Sequence, residues 1–161
     1  MTVSRLSFVT LVLSFMLTVA CTARSLEKEY LGKNLTNLNL ISKPLAQTES
    51  GYHFWSLEHL DIDYDYFIDR TAKTITLDGK IKYTLGKYET GFGSESVLRN
   101  IDRCEFRVLF ADIDTKVVAV EVFNIYPRSN LFEPAPFKET LPYDNSYRFM
   151  VLGYYLYASG R

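Results

Sequence analysis

Three aspartates, Asp61, Asp63 and Asp65, occupy alternate positions of the segment LEHLDIDYDYFID. On an extended strand, alternate residues share a face and lie roughly 6.6 to 6.8 Å apart. Such a row can repel, hold a cation loosely or meet a basic partner. It cannot by itself enclose Ca²⁺, which takes six to eight oxygens from a curved loop. Tyr66 and Phe67 stand where an EF-hand loop would continue with glycine. Against these roles stands the commoner one, a solvated strand face that discourages edge-to-edge aggregation. Asp61, Asp63 and Asp65 are the candidate interaction surface, and no residue is assigned a catalytic role.

The other reactive side chains are few. His53 and His59 are the only histidines, and six residues of extended chain separate them, which does not suit a metal pair. Trp55 beside them points to packing instead. Cys104 falls in an apolar alternation with Phe106, Val108 and Phe110, which reads as a small buried hydrophobe rather than a nucleophile. Tyr155 and Tyr157 fall on one face of the final segment and Tyr154 on the other. If the Tyr155 and Tyr157 face is core, the Tyr154 face could offer an exposed aromatic to sugar or protein, although buried tyrosines with satisfied hydroxyls are the commoner case. No GxSxG, HExxH, GxGxxG or Walker sequence occurs, and Gly91-Phe92-Gly93-Ser94 lacks the lysine of a phosphate loop. The residues imply no cofactor and no metal. The 19 acids leave a carboxylate pair for glycan hydrolysis open without singling out two of them.

The leader carries a different chemistry. Arg5 precedes an apolar run, Leu6 to Ala20, that stops at Cys21. A basic start, a short apolar core and small residues at the break describe a secretory signal over residues 1–20 rather than a membrane anchor. Leu17-Thr18-Val19-Ala20-Cys21 resembles the lipobox of bacterial lipoproteins, with Ala20 fitting and Thr18 standing where leucine is preferred. That resemblance implies that Cys21 is acylated and becomes the first residue of a lipid-anchored protein, held at the membrane by more than one acyl chain. Thr22 is not the aspartate that marks inner-membrane retention in enteric lipoproteins, which favours the outer membrane. The alternative is cleavage after Ala20 or Ala23, giving a free secreted or periplasmic protein. Cys21 and Cys104 are the only cysteines, so the alternative fates of Cys104 are a lone thiol or a bond to Cys21.

Removing residues 1–20 leaves 141, enough for one domain with a substantial core. Arg5 is the only charge lost, so 17 basic residues face 19 acidic ones, a net charge of −2. That balance argues against nucleic acid and against a polybasic grip on lipid. Aromatics make up 15% of the chain and favour strands.

The elements that must position these residues follow a period of two from Tyr52 onward. Residues 21–50 read as a lipidated N-terminus and tether that becomes ordered near Leu35 to Leu45, with a short helix over Ser25 to Tyr30 ended by Gly32. Residues 51–161 read as the folded domain. Its first strand buries Leu60, Ile62, Tyr64, Tyr66 and Ile68, and turns at Asp69 to Lys73 into a strand from Thr74 to about Leu85. Gly79 within that strand suggests a bulge or bend. Residues 86–100 read as a loop. Further strands are expected at Ile101 to Ala111, Val117 to Ile125, Phe137 to Leu141 and Ser146 to Ala158, the last central because it is the most apolar. The unit Phe106 to Asp112 followed by Lys116-Val117-Val118 resembles the strand-turn-strand of small immunoglobulin-like domains in bacterial envelope proteins. The expectation is therefore an all-β protein, an antiparallel β-sandwich of six or seven strands, immunoglobulin-like or similar.

The expected function is that of a non-catalytic envelope lipoprotein, a binding or structural module contacting another envelope protein. Its working surface would be the acidic row, the 86–100 loop or an unpaired strand edge. The alternative is a small periplasmic ligand-binding protein or glycan hydrolase.

Overall fold

The structure is a computed structural model and describes residues 28–46, 49–84, 101–126 and 133–158. Eight strands form two four-stranded antiparallel sheets. They are β1 (Lys43–Pro44), β2 (Ser50–Ser56), β3 (Leu60–Asp69), β4 (Thr74–Tyr83), β5 (Ile101–Ala111), β6 (Val117–Ile125), β7 (Ala135–Pro142) and β8 (Phe149–Ala158). The first sheet runs β2-β3-β4-β7 and the second β1-β8-β5-β6. The sandwich expected from the sequence is present, with one full strand more than the pattern suggested and one of two residues.

Alternation builds the core between the sheets. Leu60, Ile62, Tyr64, Tyr66 and Ile68 of β3 are all buried, as are Ile75, Leu77, Ile81 and Tyr83 of β4. From the opposing sheet, Cys104, Phe106, Val108 and Phe110 are completely inaccessible to solvent. Phe106, Phe123 and Phe137 stack across the gap with ring centroids 5.1 to 6.5 Å apart. The strand β2 was hidden in the sequence because its alternation runs into that of β3. Leu57 N–H donates to the Leu60 carbonyl at 2.9 Å and turns the chain between them.

Aspartates make the turns. The Asp69 carboxylate accepts the amides of Thr71 and Ala72, and Asp112 accepts those of Asp114 and Lys116. These Asx turns help place Lys73 and Thr115 at φ of 54° and 62°, a region unfavourable for side-chain-bearing residues. Asp144 caps Ser146 in the same way, and Tyr147 then stacks on Phe110, so β8 starts at Phe149 rather than Ser146. No bulge occurs at Gly79. The β3–β4 register runs unbroken through Tyr64↔Gly79, and the glycine answers to close approach of the neighbouring backbone.

Lys28 to Ala46 belong to the folded body. The first part of the segment lies on the outer face of the second sheet, where Leu35 joins Leu109, Ala111, Val117, Val120 and Val151 in a second apolar cluster, while Leu45 enters the main core. Gly32 and Lys33 exchange backbone hydrogen bonds with Val117, and β1 pairs with β8. β8 and β5 are thus covered on both faces, in keeping with their near-continuous apolar sequences.

Candidate functional site

The outer face of the first sheet gathers the acidic row. Asp61, Asp63 and Asp65 face Lys82, Lys80 and Asp78 of β4 in register. Lys80 Nζ lies 3.8 Å from Asp63, and Lys138 of β7 lies 2.8 Å from Asp78. Two of the three aspartates thus meet a lysine directly opposite, an arrangement worth a fraction of a kcal/mol per pair. With Asp69 at the end of β3, five aspartates stand against three lysines on this face, and only Asp65 has a like charge directly opposite.

Aromatics surround Asp65. Tyr52 of β2 is its cross-strand partner, Phe67 follows two residues along β3, and Phe54 pairs with Asp63. Their side chains stand 59%, 52% and 44% exposed. They share one face because His53 and Trp55, the residues alternating with Tyr52 and Phe54, point into the core. Three large exposed aromatics around one carboxylate can stack on a partner's apolar groups while the carboxylate takes a hydrogen bond or a positive charge. The sequence showed the alternation at Tyr52 to Trp55. It did not show which half of it faced water, since Tyr-Phe and His-Trp are equally plausible core pairs.

The unpaired edges of this sheet are guarded. The Phe54 carbonyl on the free side of β2 accepts from Lys43 Nζ, whose ammonium also lies 4.9 Å from the centre of the Trp55 ring. β7, the opposite edge, carries Pro136 and Pro142 and turns Glu139 toward the interior side, where burial pushes its carboxyl above the usual range. Prolines and inward charges of this kind blunt an edge. The 86–100 loop lies outside the described residues, as do Cys21 and the leader.

The remaining candidates resolve as packing. His53 is buried in β2, while His59 sits in the turn before β3, so the two histidines do not converge. Among the described residues, no group of three or more His, Cys, Asp or Glu side chains could hold a metal ion. Among the described residues Cys104 is a free thiol in the core, and burial pushes its pKa up to about 12. It is therefore expected to resist a thiol reagent such as DTNB in the native protein and to react fully once the chain is unfolded in guanidinium. Appreciable native-state labelling would contradict this burial.

The tyrosines of β8 divide as alternation requires. Tyr154 packs on the core and accepts the His59 amide at 3.1 Å. Tyr155 and Tyr157 face outward, each under an arginine of β5: Arg107 lies 3.8 Å from the Tyr155 ring centre and Arg103 3.8 Å from that of Tyr157. Glu105 is buried between them, taking Arg107 Nε at 3.0 Å and the Tyr157 hydroxyl at 3.2 Å. This ladder was not legible in the sequence, because it depends on the pairing of β5 with β8. A separate cleft of about 530 Å³ opens between the end of β6 and β7, with Tyr126, Phe137, Glu133 and Glu139 among its lining.

No protein-family model, curated protein or solved structure matches the chain. No helix among the described residues is long and apolar enough to cross a membrane.

Proposed function

We propose that this protein is a lipid-anchored binding module of the bacterial cell envelope, and that the Tyr52, Phe54 and Phe67 face around Asp65 holds another envelope protein. The observation that carries the reading is the exposure of three aromatics on one flat sheet face whose neighbouring strand edges are guarded. Tyrosine and phenylalanine are enriched at protein interfaces because they bury much area at little cost in rotamer freedom. The lipobox-like LTVAC supports the anchor, and the near-neutral charge agrees with a protein partner. Asp65 would supply specificity rather than most of the affinity.

The test is crosslinking in intact envelopes followed by recovery of the protein through an affinity tag. The double variant Phe54→Ser/Phe67→Ser is expected to lose at least about tenfold of the partner recovered with wild type, since loss of a central aromatic commonly costs 2 kcal/mol or more. Its thermal midpoint should stay close to wild type, because both side chains are exposed. Equal recovery by the two proteins would overturn the reading. The anchor is tested separately by the mass of the mature N-terminus: a diacylglyceryl group on Cys21 is expected, and an unmodified N-terminus at Cys21 or Arg24 would refute it.

A further inference from the structure

The anchor and the fold together restrict how the domain can stand on a membrane. Seven peptide units separate Cys21 from Lys28, and an extended chain covers at most about 25 Å over that number. Lys28 opens a helical turn that is already laid on the outer face of the second sheet, where Tyr30 packs against the cluster around Leu35. The opposite face lies beyond two sheets about 10 Å apart and the side chains projecting from each. The tether therefore leaves little slack for that opposite face to turn toward the bilayer.

The face beside Lys28 is built for such contact. Leu31, Leu40 and Ile41 present aliphatic side chains to water from this segment, 50%, 36% and 79% exposed. Leu40 and Tyr30 wall a groove of about 180 Å³, with Arg107 and Tyr155 at its margin and Gly153 in its floor. A Cβ added at Gly153 would meet only the Arg107 carbonyl oxygen, at 3.9 Å. The glycine is thus not forced by packing; it leaves the groove open in the middle of a central strand, a cost that often marks the approach of another molecule. Arg107 is held by Glu105 through Nε and stacks on Tyr155, so its position is fixed in advance. Arg103 and Arg107 of β5 bring two cations to this face beside the buried Glu105, and Lys28 and Lys33 belong to the segment that covers it.

We propose that the outer face of the β1-β8-β5-β6 sheet, at Leu31, Leu40, Ile41 and Tyr155, lies against an anionic phospholipid surface and turns the Tyr52–Phe54–Phe67 face away from the membrane. The inference rests on the anchored reading above. Aliphatic side chains reach the boundary of the acyl region, tyrosine sits at the headgroup level, and arginine and lysine meet the phosphates. The charge is too small to bind lipid alone. It orients a domain that the acyl chains already hold.

The test uses the full acylated protein in phosphatidylglycerol-containing vesicles whose lipid tails are brominated near the headgroup, with tryptophan placed on each face in turn. Trp55 is buried and supplies a common background, so each variant is read as a difference from wild type. Ile41→Trp, and Leu31→Trp as a second reporter, are expected to be quenched at least about threefold more than Phe54→Trp, given insertion of 5–10 Å at an interfacial face. Equal quenching, or stronger quenching at Phe54→Trp, would overturn the orientation. So would reporters at 31 and 41 left unquenched in a concentration-dependent dimer, which would assign the face to a second copy of the chain. The N-terminal mass of the same samples separates the two claims: an unacylated chain overturns the anchor and this inference together, whereas an acylated chain with the wrong quenching pattern overturns the orientation alone.

Discussion

Gly79→Ala is expected to cost about 3 kcal/mol of stability, at the upper end of what overpacking usually exacts. Gly79 stands in β4, a central strand, directly opposite Tyr64. A Cβ at this position would fall 2.0 Å from the Asp63 carbonyl oxygen and 2.5 Å from Tyr64 Cβ. Neither atom can swing away. One is backbone in the paired strand, and the other belongs to a side chain enclosed by the core. Relief must come from parting β3 and β4, which would loosen a ladder of ten residue pairs. Urea denaturation should show the loss at unchanged m-value, with the thermal midpoint falling by about 10 °C. Two other glycines rank the effect. At Gly51 the added Cβ would meet the hydroxyl, Cζ and Cε1 of Tyr66, a buried ring whose hydroxyl takes the Ala46 amide. Gly51→Ala should therefore also destabilise, though less than Gly79→Ala because a side chain rather than paired backbone must shift. At Gly153 there is room, and Gly153→Ala should be neutral or slightly stabilising through the lower entropy of its unfolded chain. A Gly79→Ala protein as stable as Gly153→Ala would refute the explanation.

The contrast among these glycines shows what the sequence could and could not disclose. All three read alike as glycines in strand-like segments, and the first resembles a bulge. Their meanings depend on which backbone lies alongside, a tertiary fact. Alternation, by contrast, was legible wherever one face is wholly core. Leu60 to Ile68 have one covering layer on their inner side, so the period of two survives undisturbed. It fails in β5 and β8, where the segment that follows Lys28 covers the outer face and buries Leu109 and Val151 as well. A tether and a covering layer have the same polar, aliphatic-spotted composition until a sheet is present to receive the leucines.

The candidate site divides along the same line. Asp61, Asp63 and Asp65 were visible because three like residues at a fixed spacing are a local pattern. That Asp61 and Asp63 meet Lys82 and Lys80 while Asp65 meets Asp78 is a cross-strand property, set by the register of β3 on β4. Tyr52 and Phe54 were invisible as surface residues for a more general reason. Hydrophobicity predicts that an aromatic will be buried, and a binding face is where that prediction fails. Exposed aromatics on a folded sheet are therefore informative because the sequence argues against them.

Tyr64→Phe removes a single oxygen from the core and is expected to cost about 3 kcal/mol, since each buried group left without a partner loses 1–3 kcal/mol. Two groups depend on that oxygen. Trp55 Nε1–H donates to it at 3.0 Å, and His53 Nδ1 lies 3.2 Å away. His53 Nε2 lies 3.1 Å from the Pro44 carbonyl, which can only accept, so Nε2 carries the proton and Nδ1 of the neutral ring accepts from Tyr64. Met150 Sδ, 3.5 Å from the hydroxyl, is the weaker competitor for the same proton. Burial, with some help from the Lys43 ammonium, lowers the His53 pKa below its ordinary 6.5. The unfolded chain therefore binds a proton at His53 more readily than the folded one. Stability is greatest above pH 6.5 and falls as the pH drops below that value toward the folded pKa. His53→Gln should flatten this limb of the stability–pH curve whatever its cost at neutral pH, whereas an unchanged slope would place the titration elsewhere. The network also joins β1 to β3 through Pro44, His53 and Tyr64, and neighbouring Ala46 donates its amide to Tyr66. Loss of the Tyr64 hydroxyl should therefore hasten hydrogen exchange at Leu45, which donates to Arg148, and at Ala46 before the rest of the sandwich opens. The covering segment that carries Leu31, Leu40 and Ile41 would loosen first, so one core hydroxyl bears on the outer surface of the opposite sheet.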